Sequence, residues 1–310
     1  MAISLIYDSA YLRHDTGVHP ENSRRLEAIL SVLNKDEALS KKLQRVAPKP
    51  ASNEDIQRCH REELIREIEQ LCALGAKSVD VDTRISRESF EVARLAAGAA
   101  IAGVDSVMDE QGGRAFALIR PPGHHATSST AMGFCLFNNA AIAARYAQAG
   151  YGAERVLIID WDVHHGNGTQ EIFWTDPTVF YFSTHQFPHY PGTGASNERG
   201  AGKGEGFTLN IPLRAGTPAK DHRRSFIDAL RDIERKFPPD LIVISAGFDS
   251  RRGDPLGGLM LEDEDFSEMT KEVLRMAEKH AAGRVVGLLE GGYNLELLGA
   301  SVKSHLAALL

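Results

Sequence analysis

The sequence predicts an α/β protein built on one open, mostly parallel sheet flanked by helices, and two observations carry that expectation. First, five short apolar runs each end abruptly in Gly, His, Asp or Tyr. Ala115–Ile119 runs into Arg120-Pro-Pro-Gly-His124-His125, Val156–Ile159 into Asp160, and Thr178–Phe182 into Ser183-Thr184-His185. Leu241–Ile244 runs into Ser245-Ala-Gly-Phe-Asp249, and Val285–Leu289 into Glu290-Gly-Gly-Tyr293. Second, helical patterns fill three of the intervals, at Ala140–Gln148, Phe226–Phe237 and Phe266–His280. Strands alternating with helices imply parallel pairing. Ligands of such sheets bind beyond the carboxyl ends of the strands, where these polar residues collect.

The 310 residues, 43% hydrophobic and 25% charged, suffice for the core of one large domain or two ordinary ones. No internal repeat or long Gly/Ser/Pro linker divides them, so one domain over residues 1–310 is expected. A net charge of -7 without a basic cluster argues against direct nucleic-acid binding. Cys59, Cys72 and Cys135 are too few and too scattered for a disulfide framework, which points to a reducing compartment. The N-terminal stretch lacks a basic region and meets an acid at Asp8, so neither signal peptide nor membrane span is expected, and the cytoplasm follows.

Along the chain, Ile3–Tyr7 reads as a first strand. His19-Pro20-Glu-Asn-Ser23 then opens a helix through Leu26, Ile29, Leu30 and Leu33, with a proline near its start. Glu54–Leu74 reads as one or two helices, with Ile56, Leu64, Ile65, Ile68 and Leu71 on the apolar side. Asp80-Val-Asp82-Thr83 is an acidic loop before an Ala-rich helix from Ser89 to about Val107. Such loops are usually solvated surface, yet loops also carry function.

The chemistry centres on Arg155-Val-Leu-Ile-Ile-Asp160-Trp-Asp162-Val-His164-His165-Gly-Asn167-Gly. Asp160, Asp162 and His164 recur at every second residue, and an extended backbone sends alternate side chains to one side. The plainer alternative is a strand followed by a solvated loop. With Asp249 added, Asp162 and His164 offer two carboxylate oxygens and one imidazole nitrogen, a set that suits catalytic zinc with a position left for water. It is not the two-His-one-carboxylate set of non-haem iron, although iron(II) could occupy it. Asp160, on the same strand face, can orient an imidazole. Tandem His124-His125 after a Pro-Pro-Gly turn supplies two of these. Tyr293 is either a packed tyrosine or, because Gly291 and Gly292 let the backbone turn sharply, a phenol brought beside the metal. There it could donate to a developing oxyanion. Metal, base and donor together describe amide or ester hydrolysis. His165, His185 and His189 stay open.

Arg120-Pro-Pro-Gly-His-His125, Gly133-Phe134-Cys135, Asp160-Trp-Asp-Val-His-His-Gly-Asn167-Gly-Thr, Ser245-Ala-Gly-Phe-Asp249 and Glu290-Gly-Gly-Tyr293-Asn together resemble the zinc-dependent histone deacetylase superfamily, with its arginase/deacetylase fold. The likeness runs in order from about His19 to Tyr293. Within that superfamily it is similar to the class II branch and its bacterial relatives, the histone deacetylase-like and acetylpolyamine amidohydrolases.

The resemblance implies one zinc on Asp162, His164 and Asp249, Tyr293 polarising the acyl carbonyl, His125 as general base and then acid, and His124 as its electrostatic partner held by Asp160. Asn167 stands where class I relatives carry an aspartate, so His125 should more readily be neutral. It also implies a potassium ion taking the Asp160 side chain, the Ser183 hydroxyl and backbone carbonyls of Asp160, Asp162, His164 and Thr184. Gly133, Phe134 and Tyr190 match the wall of a narrow acyl-lysine tunnel, and Asp82 a loop acid that holds the substrate backbone. Leu256 stands where a polyamine-specialised relative has an acidic gatekeeper after Gly-Asp-Pro. An acyl-lysine peptide is therefore the expected substrate, with small acetylated amines such as polyamines as the alternative. Binuclear manganese ureohydrolases share the fold but need further Asp and His ligands that are not found here. A non-catalytic acyl-binding module would lack the base or the tyrosine.

Overall fold

A computed structural model describes residues 2–108 and 112–310. Its centre is an eight-stranded sheet of β1 (Ile3–Ile6), β2 (Leu43–Val46), β3 (Arg114–Ala117), β4 (Val156–Asp160), β5 (Val179–Gln186), β6 (Thr208–Leu213), β7 (Leu241–Ala246) and β8 (Val285–Leu289). The order is β2-β1-β3-β8-β7-β4-β5-β6, and every pairing is parallel. The expected open sheet is present, wholly parallel rather than mostly so. Strands β3, β4, β7 and β8 are buried at every residue, as a sheet covered on both faces requires. Helices Ser89–Asp105 and Asn139–Tyr151 pack together in one layer, and helices Arg24–Lys35, Ala219–Lys236, Asp263–His280 and Leu298–Ala308 form another.

The two strands without a sequence signal are the sheet's edges. In β2, Gln44 and Arg45 are exposed, and β6 contains Pro212, a residue tolerated on an edge strand. Strand β5 extends past the expected end at Phe182 because β6 pairs with it from Tyr181 to Gln186, so Ser183, Thr184 and His185 lie within the strand. The expected strand to Tyr7 stops at Ile6, and that to Ile119 stops at Ala117. The Ala-rich helix ends at Asp105, and Glu54–Leu74 resolves into helices Asn53–Gln57 and Glu62–Leu74. Leu298–Ala308 had no counterpart in the sequence reading. Its buried Leu298, Ser301, Val302, His305 and Leu306 mix apolar and polar types, which blurs any stripe.

The first helix begins at Arg24, not directly after Pro20. Glu21 is turned into the core instead of starting a helical turn. It is fully buried with Arg25 and Arg120. Arg120 donates from Nε to Glu21 Oε1 at 2.5 Å and from Nη2 to Oε2 at 2.7 Å, and Arg25 Nη1 donates to Oε1 at 3.2 Å. Burial alone would raise the Glu21 pKa, but the Arg120 guanidinium overrides it and holds the carboxyl at about 2. Removing one member of a buried charge network leaves its partners uncompensated. Glu21→Ala should therefore lower the unfolding free energy by about 3–5 kcal/mol in urea titrations at neutral pH. A loss below ~1 kcal/mol, the range of exposed pairs, would show that the network relaxes without strain.

Candidate metal and catalytic site

The register of the sheet assembles the site. Asp160 at the end of β4 lies beside Ser183 of β5 and Ser245 of β7, so the polar residues of neighbouring strands stand at one level. From there β4 leads to Asp162 and His164, β7 to Asp249, β8 to Tyr293, and β3 to His124 and His125.

Asp162, His164 and Asp249 are buried, and their ligating atoms lie within 4.8 Å of one another. They are the one group of metal-ligating side chains of this kind among the described residues. His164 Nδ1 is 3.0 Å from Asp162 Oδ1 and 3.3 Å from Asp249 Oδ2. The backbone holds the other carboxylate oxygens: Gly291 N donates to Asp162 Oδ2 at 2.8 Å and Val163 N to Asp249 Oδ1 at 2.8 Å. Asp249 Oδ2 is buried with no hydrogen-bond partner. Burial, then the nearby Asp162 charge, pushes the Asp249 carboxyl up to about 7. Two crowded carboxylates with an unsatisfied oxygen and one imidazole fit a divalent cation in charge and in donor type. The cradle admits nothing larger than hydrogen at Gly291, where a Cβ would fall 2.0 Å from Asp249 Oδ2 and 2.5 Å from Asp162 Oδ2.

The two tandem histidines differ in environment although their rings are 4.0 Å apart. Nδ1 of His124 is 3.0 Å from Asp160 Oδ2 and its Nε2 is 3.9 Å from Asp162 Oδ1. Burial disfavours its cation, but Asp160 and Asp162 outweigh that and raise its pKa to about 10. Burial and then the His124 charge push His125 well below its ordinary value. His125 Nδ1 lies 2.8 Å from Asn167 Oδ1, while Asn167 Nδ2 donates to Met132 Sδ at 3.4 Å. With the amide oxygen on the histidine side, His125 carries its proton on Nδ1 and leaves Nε2 as a lone pair.

All five expected tunnel residues, Asp82, Gly133, Phe134, Tyr190 and Leu256, line one cavity of about 240 Å³ together with His125, His164, Tyr293 and His189. Tyr190 meets His125 edge-on at 5.1 Å, and Phe134 meets Tyr293 at 5.9 Å. Gly133 sits at φ +57°, and a Cβ there would come within 2.5 Å of His125 Cδ2. The acidic loop is joined to this wall, since Asp80 Oδ1 accepts from the amides of Asp82 and Thr83 while Thr83 Oγ1 accepts from Phe134 N. Larger depressions of about 460 Å³ beside Lys49 and Tyr146 and of about 490 Å³ around Gln57–Glu63 bring together no three metal-ligating side chains among the described residues.

The open histidines separate. His165 bonds Gln170 and Thr193, and His185 bonds Ser183 and the Gly194 carbonyl, all as packing partners. His189 lines the cavity, stacked on His164 at 5.0 Å. The expected potassium ligands Asp160 and Ser183 are register neighbours, with the Ser183 hydroxyl 2.8 Å from His185 Nδ1. The Thr184 hydroxyl is 3.0 Å from His222 Nε2.

Several supporting residues escaped the sequence reading. Tyr181 donates its hydroxyl to Asp160 Oδ2 at 3.1 Å, and Glu290 Oε2 accepts from the amides of Gly123 and His124 at 2.7 and 3.2 Å. Arg25 bonds the carbonyls of Gly292 and Glu290 and stands 4.8 Å over the Tyr293 ring. Glu290 could have been suspected as an acid closing a buried apolar run. Arg25 on an amphipathic helix carries no such signal.

The histone deacetylase domain model matches residues 19–309. A probable deacetylase of Archaeoglobus fulgidus is 41% identical over 298 residues, covering 96% of this chain and 82% of that protein. The histone deacetylase-like amidohydrolase of Pseudomonas aeruginosa is 41% identical over 278 residues, covering 89% and 72%. Among solved structures, the HDA15 HD domain superposes with a TM-score of 0.93 at 38% identity, covering all of this chain and 89% of the other. No helix among the described residues is long and apolar enough to cross a membrane. A match this long, on a fold this close and with a buried site fit for a metal, means that the chain belongs to the histone deacetylase family of zinc-dependent enzymes and is a deacetylase of the amidohydrolase type.

Proposed function

We propose that the enzyme removes acetyl or related acyl groups from lysine side chains of peptides and proteins, and that residues 1–310 act as one catalytic domain. The observation that carries this reading is the cavity itself, whose aromatic and aliphatic wall leads to a polar floor of His125, His164 and Tyr293. Phe134, Tyr190 and Leu256 offer apolar surface to a lysine stem, and Gly133 leaves it room. Asp82, on the loop at the same cavity, can accept hydrogen bonds from a substrate backbone.

Asp162, His164 and Asp249 would hold the zinc, which when bound would supply Lewis acidity at the floor of the cavity. Neutral His125 takes the water's proton on Nε2 and later delivers it to the leaving amine, while Asn167 keeps its Nδ1 proton in place. His124, charged and bonded to Asp160, keeps His125 neutral before the reaction and lends positive potential near the developing oxyanion. Tyr293 donates its hydroxyl to the carbonyl oxygen, where negative charge grows in the transition state. A potassium ion on the Asp160 and Ser183 oxygens and the carbonyls of Asp160, Asp162, His164 and Thr184 belongs to the same reading, supported by the pairing of Asp160 with Ser183. A reducing compartment such as the cytoplasm is supported by Cys59, Cys72 and Cys135, all buried and free. The net charge of -7 supports a substrate other than nucleic acid.

A second reading, hydrolysis of small acetylated amines, is favoured by one observation: Asp82 brings a carboxylate to the cavity that could meet a distant ammonium. Substrate comparison separates the two. Wild-type enzyme should show the higher kcat/KM on an acetyl-lysine peptide, and Leu256→Glu should shift the ratio toward acetylated polyamines about tenfold, the equivalent of ~1.4 kcal/mol. A wild type that prefers polyamines, or a variant with an unchanged ratio, would sink the assignment of Leu256 as selector.

Two further variants test the chemistry. Tyr293→Phe should keep its zinc and melting temperature while kcat falls about 100- to 1000-fold, the usual effect of losing an oxyanion donor. Near-normal turnover would remove the phenol from the mechanism. Asp249→Ala should weaken zinc retention at least ~10-fold, read by elemental analysis after dialysis against a graded chelator. Full zinc content at wild-type chelator resistance would place the ion elsewhere.

A further inference from the structure

We infer that Asp254 is a positioning residue for the reaction, one carboxylate that fixes Tyr293 and Leu256 relative to each other. Asp254 is 7% exposed. Its hydrogen bonds all come from backbone amides, and among the described residues no Lys or Arg nitrogen lies within ion-pair distance of it. Oδ2 accepts from Tyr293 N at 2.7 Å and Asn294 N at 3.1 Å, while Oδ1 accepts from Leu256 N at 2.9 Å. A buried carboxylate without an ion-pair partner is costly, and here three backbone amides from two segments converge on its two oxygens to offset that cost. Asparagine has a single oxygen. It could serve one segment, but its NH2 group would then confront an N–H donor of the other.

Both segments present a side chain to the cavity, Leu256 from one and Tyr293 from the other. Each is also gripped from its far side. The Gly292 carbonyl accepts from Arg25 Nε at 2.6 Å, and the Leu256 carbonyl accepts from His189 Nε2 at 2.9 Å. The carbonyl of Gly292 and the amide of Tyr293 belong to one peptide unit, which is therefore held at one end by Arg25 and at the other by Asp254. That unit adjoins Gly292 at φ +123°, and a glycine leaves its neighbouring peptide free to rotate unless something holds it. Rotation there would swing the whole Tyr293 side chain, so Asp254 converts a permissive backbone into a fixed phenol.

The inference rests on the reading that Tyr293 donates to the substrate carbonyl, and a double-mutant cycle separates the two. In the zinc-loaded enzyme, Asp254→Asn should lower kcat about 10- to 100-fold, the scale of a displaced catalytic group, with zinc content and melting temperature retained. In the Tyr293→Phe background the same change should lower kcat less than about twofold further, because the group it positions is already gone. Equal factors in both backgrounds mean that Asp254 acts elsewhere, and the inference falls while the phenol's role stands. Normal turnover of Tyr293→Phe alone overturns the phenol's role and this inference with it. Should Asp254→Asn not fold with its zinc, Asp254→Glu, which keeps both oxygens on a longer stem, carries the same cycle. If neither variant holds fold and zinc, the carboxylate is a determinant of the fold and the inference is overturned.

Discussion

The structure depends on a concentration of buried negative charge at the carboxyl end of its central strands. Asp160, Asp162, Asp249 and Glu290 are all buried, and among the described residues none of their carboxylates is ion-paired with a Lys or Arg. Carboxylates in a low-dielectric interior are tolerable only with matching positive charge or dense hydrogen bonding. This chain uses both. Backbone amides of Val163, Gly291, Gly123 and His124 converge on the acids, the imidazole of His124 stands against Asp160 and Asp162, and the Asp162, His164 and Asp249 donor set suits a divalent ion. Gly291 is small because the carboxylates occupy the space a side chain would need.

A second buried charge network supports the first from behind. Glu21 pairs with both Arg25 and Arg120, and Arg25 then reaches the carbonyls of Glu290 and Gly292. The helix Arg24–Lys35, distant in sequence, thereby braces the loop that carries Tyr293. Asp254 grips the same loop through the amides of Tyr293 and Asn294. In the proposed mechanism the phenol meets a developing oxyanion, and such over-determination would serve that role, since small displacements are expensive in rate.

Histidine illustrates how surroundings assign roles to one residue type. Carboxylates keep His124 charged, burial and the adjacent His124 charge keep His125 neutral, and the Asn167 oxygen selects the tautomer of His125. His165 and His185, a short distance along the same segments, are satisfied by Gln170, Thr193 and Gly194 and do not line the cavity of the site. His189 stacks on His164 and reaches Leu256, which links the cavity wall to its floor.

The sequence by itself determined the parallel α/β architecture, because strands covered on both faces must be uniformly apolar and their ends must carry whatever binds a ligand. It also brought forward Asp162, His164 and the tandem histidines as candidates, because alternation along Asp160-Trp-Asp162-Val-His164 and a Pro-Pro-Gly turn are local signals, with Asp249 at the end of a separate apolar run. The edge strands β2 and β6 were illegible because an edge has one partner and tolerates polar residues and proline. The start of the first helix was misplaced because Glu21 answers to Arg120, a residue far along the chain. Tertiary structure alone decided the supporting cast of Arg25, Tyr181 and Asp254. Each acts by a hydrogen bond or charge contact to a residue distant in sequence, and such pairings have no periodicity, composition or spacing to betray them.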